Sequence, residues 1–274
     1  MTLKIRNNLF IFLFCISLAC VFAAILACTM AFLSHQITPP PALRIPAFLN
    51  YIPFAPYHFL ATMLSIAALV FYVPATFFLV YRAFENTQSS EIIFFSGFLL
   101  SCLCEGARIL IPLYGLGESF SQLQFFCGRI LLVGRILAPL SLITAAIMSD
   151  IGQRQDIERN FMIMIAVSTM FALLIPLNTA QLTSSCTIYW GFPRLIGIIK
   201  TVLALTAVLS FLVNGIKHDS REMKKSSLAV LILLTGYQLL AMSDNFLFFA
   251  FGTLLLAGGT YYLLASLHTL YMWK

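Results

Sequence analysis

Apolar runs long enough to cross a bilayer take up most of this chain. They fall at roughly 9–33, 57–82, 91–113, 122–149, 160–180, 191–215, 227–243 and 246–272. A span needs about 20 mostly apolar residues. With no water at mid-bilayer, each run must satisfy its own backbone polar groups, which a helix does. The expected fold is all-α: a polytopic transmembrane helical bundle of about eight spans, forming one integral membrane domain over residues 1–274. Charged residues make up 9% of the chain against 61% hydrophobic, with a mean hydropathy of +0.96. A soluble domain carries about 25% charged residues, so this composition excludes a water-facing globule. No hydrophilic stretch is long enough for a second domain. The longest connection, 34–56, is rich in proline and aromatics and is expected to lie at the outer membrane interface.

Lysine and arginine set the expected orientation. With the N-terminus inside, the inner segments hold Lys4, Arg6, Arg82, Arg154, Arg159, Lys217, Arg221, Lys224, Lys225 and Lys274, while the outer ones hold Arg44 and Arg194. That asymmetry is the positive-inside pattern. It places both termini in the cytoplasm, in a cell membrane of the bacterial inner-membrane type. The formal charge of +6 is accounted for by these loops and by charges inside the spans, so nucleic acid is not expected as a partner. The basic start and first apolar run also resemble a secretory signal, whose cleavage would leave seven spans. The run is longer than the 7–15 residues of a signal core, so a retained span is expected. The chain ends soon after the last run, and no output domain is expected.

Two small-residue patterns stand out. Ala19, Ala23, Ala27 and Ala31 recur every fourth residue in the first run, and Asn245, Gly252, Gly259 and Ser266 recur every seventh in the last. Small residues so spaced let helices approach closely. These faces would hold a neighbouring span or a protein partner. Pro74, Pro139 and Pro176 lie inside apolar runs and are expected to kink helices.

Five ionisable residues sit deep in the runs: Glu105, Arg108, Arg129, Arg135 and Lys200. A charge at the centre of a span costs about 2.5–3.5 kcal/mol on insertion scales, so such groups normally face a bundle interior, a partner or water. Ser101, Glu105, Arg108 and Pro112 share one helical face. Counting from the span ends at about 1.5 Å per residue puts Glu105 and Arg129 at one level, and a Glu105–Arg129 ion pair is expected. Arg129 and Arg135 point about 120° apart at 3.6 residues per turn and should have different partners. One carboxylate cannot balance four cations, so the five residues together are read as a ligand-binding site for an anion.

The remaining chemistry is sparse. The seven cysteines lie mostly within apolar runs and act as small apolar residues. His35, His58, His218 and His268 form no metal or haem motif, and no nucleophile elbow, P-loop or dinucleotide fingerprint occurs. No cofactor, metal or enzymatic activity is expected. The expected role is transport or membrane binding of a small anionic molecule or lipid. The alternative is a membrane-embedded sensor or assembly module acting through a partner protein.

Overall fold

The computed structural model describes residues 3–33, 56–85, 87, 89–114, 122–149 and 157–272. The interfacial loop, with His35 and Arg44, and the orientation signals Arg154 and Lys274 lie outside the described residues. The helices are α1 (Leu3–Leu33), α2 (Phe59–Phe84), α3 (Ser90–Cys104), α4 (Leu110–Leu113), α5 (Gln122–Met148), α6 (Ile157–Leu174), α7 (Pro193–Lys217), α8 (Arg221–Ala241) and α9 (Phe246–Met272). A 3₁₀ segment, Glu105–Ile109, joins α3 to α4. Among the described residues, seven helical stretches are long and apolar enough to cross a membrane, with α3 through α4 counting as one. Their outer faces agree: Phe22 is 70% and Leu254 70% exposed. Contiguous apolar surface of this kind belongs in lipid. The chain is a membrane-embedded helical bundle.

The eighth expected run, 227–243, forms most of α8 but does not count with the seven. Its first turns carry Arg221, Glu222, Lys224 and Lys225, which leaves an apolar stretch short for a full span. The helix still packs against both α7 and α9. Hydrogen bonds gather the helix ends into two sets. At one end, Ser90 bonds the Met148 carbonyl at 2.9 Å, Asn214 bonds the Ala146 carbonyl at 2.6 Å, and Tyr271 bonds Glu91 at 2.5 Å. At the other, the His58 amide donates to the Asp244 carbonyl at 2.9 Å. Successive long helices therefore run in alternating directions.

The centre is aromatic and tightly packed. Phe77, Phe84, Phe94, Phe95 and Phe98 are almost fully buried, and Phe98 meets Tyr237 edge-on at 5.6 Å. The last helix fits through its small residues, as its seven-residue repeat implies. Gly252 and Gly259 lie against Leu240 and Leu233 of α8, and the Ser226 and Ser266 hydroxyls meet at 2.7 Å. That face of α9 is filled from within the chain. In α1 the buried face is instead Phe10, Leu13, Ser17 and Val21, and Ala19 and Ala23 are exposed. Arg6 caps α2, bonding the Phe84 and Glu85 carbonyls at 2.8 and 2.9 Å as well as that of Thr87.

One expectation about proline is corrected. Pro176 does not kink a span continuing to residue 180; it ends α6, which stops at Leu174. Proline lacks the amide the helix would need, and it disfavours helical backbone in the residue before it. The chain then forms a β-hairpin of β1 (Leu177–Leu182) and β2 (Ile188–Trp190), antiparallel, with Leu177 opposite Trp190. Pairing two strands satisfies backbone groups that could not be left bare near lipid. Pro74 and Pro139 lie inside α2 and α5, within the runs where the sequence placed them.

Candidate functional site

The site begins with a break in helical form. Pro112 can neither donate to the Arg108 carbonyl nor let it sit in a normal turn. One turn earlier the chain tightens to 3₁₀ over Glu105–Ile109. On α5, Gly134 faces this point: a Cβ there would come within 2.7 Å of Cys104 Cβ and 3.0 Å of the Ser101 carbonyl. The missing side chain lets α3 and α5 touch and brings Arg135 level with Glu105.

The expected Glu105–Arg129 pair is therefore replaced by a Glu105–Arg135 pair. Arg135 Nε donates to Glu105 Oε1 at 2.7 Å and Nη2 to Oε2 at 3.1 Å, a two-pronged fork. Arg108 Nη1 reaches Oε2 at 3.4 Å, and the Tyr237 hydroxyl donates to Oε1 at 3.2 Å. Glu105 and Arg108 are completely buried and Arg135 is 4% exposed. Counting depth from span ends missed this register because it ignored the seat at Gly134 and the longer rise of a 3₁₀ turn, about 2.0 Å per residue.

The two arginines also meet a second source of negative charge. Arg108 Nη1 donates to the Leu240 carbonyl at 3.3 Å and Arg135 Nη2 to that of Ala241 at 3.0 Å. These are last-turn carbonyls of α8, which a helix leaves free and which carry the negative end of its dipole. Arg129 does the same elsewhere: it donates to the carbonyls of Ala172 and, at 2.6 Å, Ile175 at the end of α6, and stacks on Phe125. It stands apart from the other four residues. Of the five predicted residues, Glu105, Arg108 and Arg135 form one cluster, with Lys200 beside it.

Lys200 differs from the rest. It is 8% exposed, and its Nζ has no hydrogen-bond partner among the described residues. It lies 4.9 Å from the ring centroid of Trp190, whose ring also takes Arg135 at 5.2 Å. It lines a cavity of about 460 Å³ between α5, α7 and α8, shared with Arg135, Tyr237 and Gln238. A larger groove of about 890 Å³ runs past Arg129 between α5 and α6. Its walls are Phe126 and Leu173, at 60% and 62% exposure, so it belongs to the outer surface. Trp190 and Tyr237 were not singled out from sequence. Tyr237 carried a signal, as a polar group in the middle of an apolar run, whereas Trp190 reaches the cluster only through the hairpin.

The hairpin closes this end of the bundle. Ser184, Ser185, Cys186 and Thr187 at its tip are buried. Arg108 Nε donates to the Ser185 carbonyl at 2.9 Å, and Ser184 Oγ donates to Asp244 Oδ2 at 2.7 Å. Cys186 holds a left-handed turn with φ 55°. Burial pushes its thiol up to about 11, against the pull of Arg108, which keeps it protonated and unreactive at neutral pH.

Burial also raises the Asp244 carboxyl above the ordinary aspartate range, despite its hydrogen bonds from Ser184 and Asn245. The folded state thus favours the neutral acid. The stability this group contributes is full below its unfolded pKa, about 3.9, and is lost as pH rises through the raised folded value. The melting temperature of the wild type relative to Asp244→Asn, measured in detergent, is expected to rise between pH 7 and pH 4.5. A relative fall over that interval would contradict the assignment.

Comparison with protein families, with curated proteins and with solved structures finds no match for this chain.

Proposed function

We propose that this chain binds, and carries across the membrane, a small anionic molecule or lipid through the cavity at Lys200. The observation that carries the reading is the Lys200 ammonium, more than nine-tenths buried and without a hydrogen-bond partner among the described residues. A buried cation is normally paired, and this one lines a cavity of about 460 Å³, within the roughly 300–1,000 Å³ range of small-ligand sites. Arg135 holds the cationic floor beside Lys200, and Glu105, which Arg108 also contacts from outside the cavity, fixes Arg135 in place. On this reading Glu105 is a positioning group rather than a proton carrier, since both its oxygens already accept hydrogen bonds. No catalytic step is assigned to the chain.

The proposal includes eight spans with both ends in the cytoplasm of a bacterial inner membrane. Support comes from the alternation of helix directions, from the short turns flanking α8, and from the lysines and arginines of the proposed inner loops. The caps that Arg6 provides to α2 support α1 as a retained span. A reporter fused after residue 274 should read cytoplasmic, and an external reading would overturn this topology.

The main test is anion flux into proteoliposomes, run against a panel of carboxylates and phosphates. Lys200→Gln is expected to lower affinity for the accepted anion by about 10- to 100-fold, the worth of one charge-assisted hydrogen bond at about 1.5–3 kcal/mol. Unchanged affinity would remove Lys200 from the site. A second reading, an assembly or sensor module, is favoured by the exposure of Ala19 and Ala23 on α1. A protein that copurifies through that face, in a chain showing no flux, would favour it.

A further inference from the structure

We infer that the ligand of the Lys200 cavity is an anionic acyl lipid of the surrounding membrane, its head at Lys200 and Arg135 and its chain leaving between α7 and α8. The inference rests on the anion-site reading and adds the route and the tail. The mouth of the cavity is built from residues on the outer face of the bundle. Leu205 on α7 is 52% exposed, and Leu231 and Met242, on and just after α8, are 43% and 46% exposed. Thr201 and Thr235 beside them are also exposed.

Met242 marks the end of α8, and the rest of this mouth lies at hydrocarbon depth. Lys200 is seven residues into α7, or about 10 Å along the helix at its usual rise, and Thr235 lies six residues before the end of α8, about 9 Å in by the same measure. A hydrated inorganic anion would have to cross oil to enter there. The approach from the nearer end of the bundle is covered instead: Trp190 stacks over both Lys200 and Arg135, and the buried hairpin tip is tied to Arg108 and Asp244. A head with charge-accepting oxygens and a tail at home in hydrocarbon satisfies both ends of the cavity. Its floor is cationic, and its wall is aliphatic through Ala204, Val208 and Leu234.

Three photoactivatable probes in phosphatidylcholine nanodiscs test this: a sixteen-carbon carboxylate, a phosphatidate and a phosphatidylcholine, each with a diazirine in the chain. At least one anionic probe is expected to label the α7 and α8 peptides around Leu205 and Leu231 about tenfold more than the zwitterionic probe. Which of the two does so identifies the head as carboxylate or phosphate. Lys200→Gln should remove the excess and Lys200→Arg should keep it. Leu231→Trp, at an exposed position, should narrow the mouth and lower labelling with every charge left in place, which guards against a misfolded Lys200 variant. Equal labelling by all three probes, or an excess untouched by both Lys200→Gln and Leu231→Trp, overturns the inference. Equilibrium dialysis with radiolabelled inorganic phosphate separates it from the broader reading. Phosphate binding that depends on Lys200, with no anionic excess among the acyl probes, sinks the lipid and leaves the anion site. Neither signal sinks both.

Discussion

Replacing Glu105 by glutamine is expected to cost about 3–5 kcal/mol, the range for removing one partner of a buried ion pair. The carboxylate accepts hydrogen bonds from Arg135 twice, from Arg108 and from Tyr237. A neutral amide would leave two buried guanidiniums with no counter-ion and only backbone carbonyls to accept from them, those of Ser185 and Leu240 for Arg108 and of Ala241 for Arg135. Isolated burial of charge is the larger effect here; the loss of individual hydrogen bonds, about 1 kcal/mol each, is secondary. Thermal unfolding in detergent should show a large drop for Glu105→Gln. Adding Arg135→Gln in the same chain should recover part of it, whereas adding Arg129→Gln should not. A double-mutant cycle in which Glu105 and Arg135 are simply additive would contradict the pairing. The same logic implies that Arg135→Leu destabilises the bundle by stranding the carboxylate, so loss of ligand binding in that variant is not diagnostic. Lys200 is the better probe of function, since no described group depends on its Nζ for a hydrogen bond.

Gly236→Ala is the second change expected to be severe. A Cβ at 236 would collide with the Leu256 amide nitrogen and stand 2.9 Å from the Leu255 carbonyl carbon. Both are backbone atoms, so no rotamer change relieves the clash, and α8 must move away from α9. Overpacking of this kind typically costs about 1–3 kcal/mol. It opposes the usual gain of about 0.5–1 kcal/mol from placing alanine rather than glycine inside a helix. The steric term is expected to win, and Gly236→Val should be worse still. Gly258 is the matched control, because a Cβ there meets nothing within 4 Å. Melting temperatures should fall for Gly236→Ala and hold or rise for Gly258→Ala. Equal behaviour of the two would mean that α8 and α9 do not meet at this seam.

Helix positions were legible because hydropathy alone locates long runs. The ionisable residues were legible because charge inside such runs has few innocent explanations. Close packing of α9 was visible in the seven-residue spacing of Gly252 and Gly259, although the spacing left open whether α8 or α1 was the partner. The partner of Glu105 was not. Which arginine meets it depends on where Gly134 seats α5 against α3, a tertiary fact that depth counting does not contain. The counter-charges for Arg108, Arg129 and Arg135 include backbone carbonyls at the ends of α8 and α6. Carbonyls have no residue signature, and so the cations looked more poorly balanced than they are. The hairpin was hidden by reading 160–180 for apolarity, although Pro176 and the Thr-, Ile- and Tyr-containing stretch after it favour extended backbone. Trp190 reached the site through that hairpin and could not be placed without it.

The most direct test of the account is a high-resolution map of the protein purified from its own membrane with native lipid retained, viewed at the cavity between α5, α7 and α8. Non-protein density is expected within about 2.7–3.2 Å of Lys200 Nζ, the span of a hydrogen bond from nitrogen to oxygen, continuing outward between Leu205 and Leu231. A Lys200 side chain bonded to a group of the protein itself, with the cavity collapsed around it, would contradict the account.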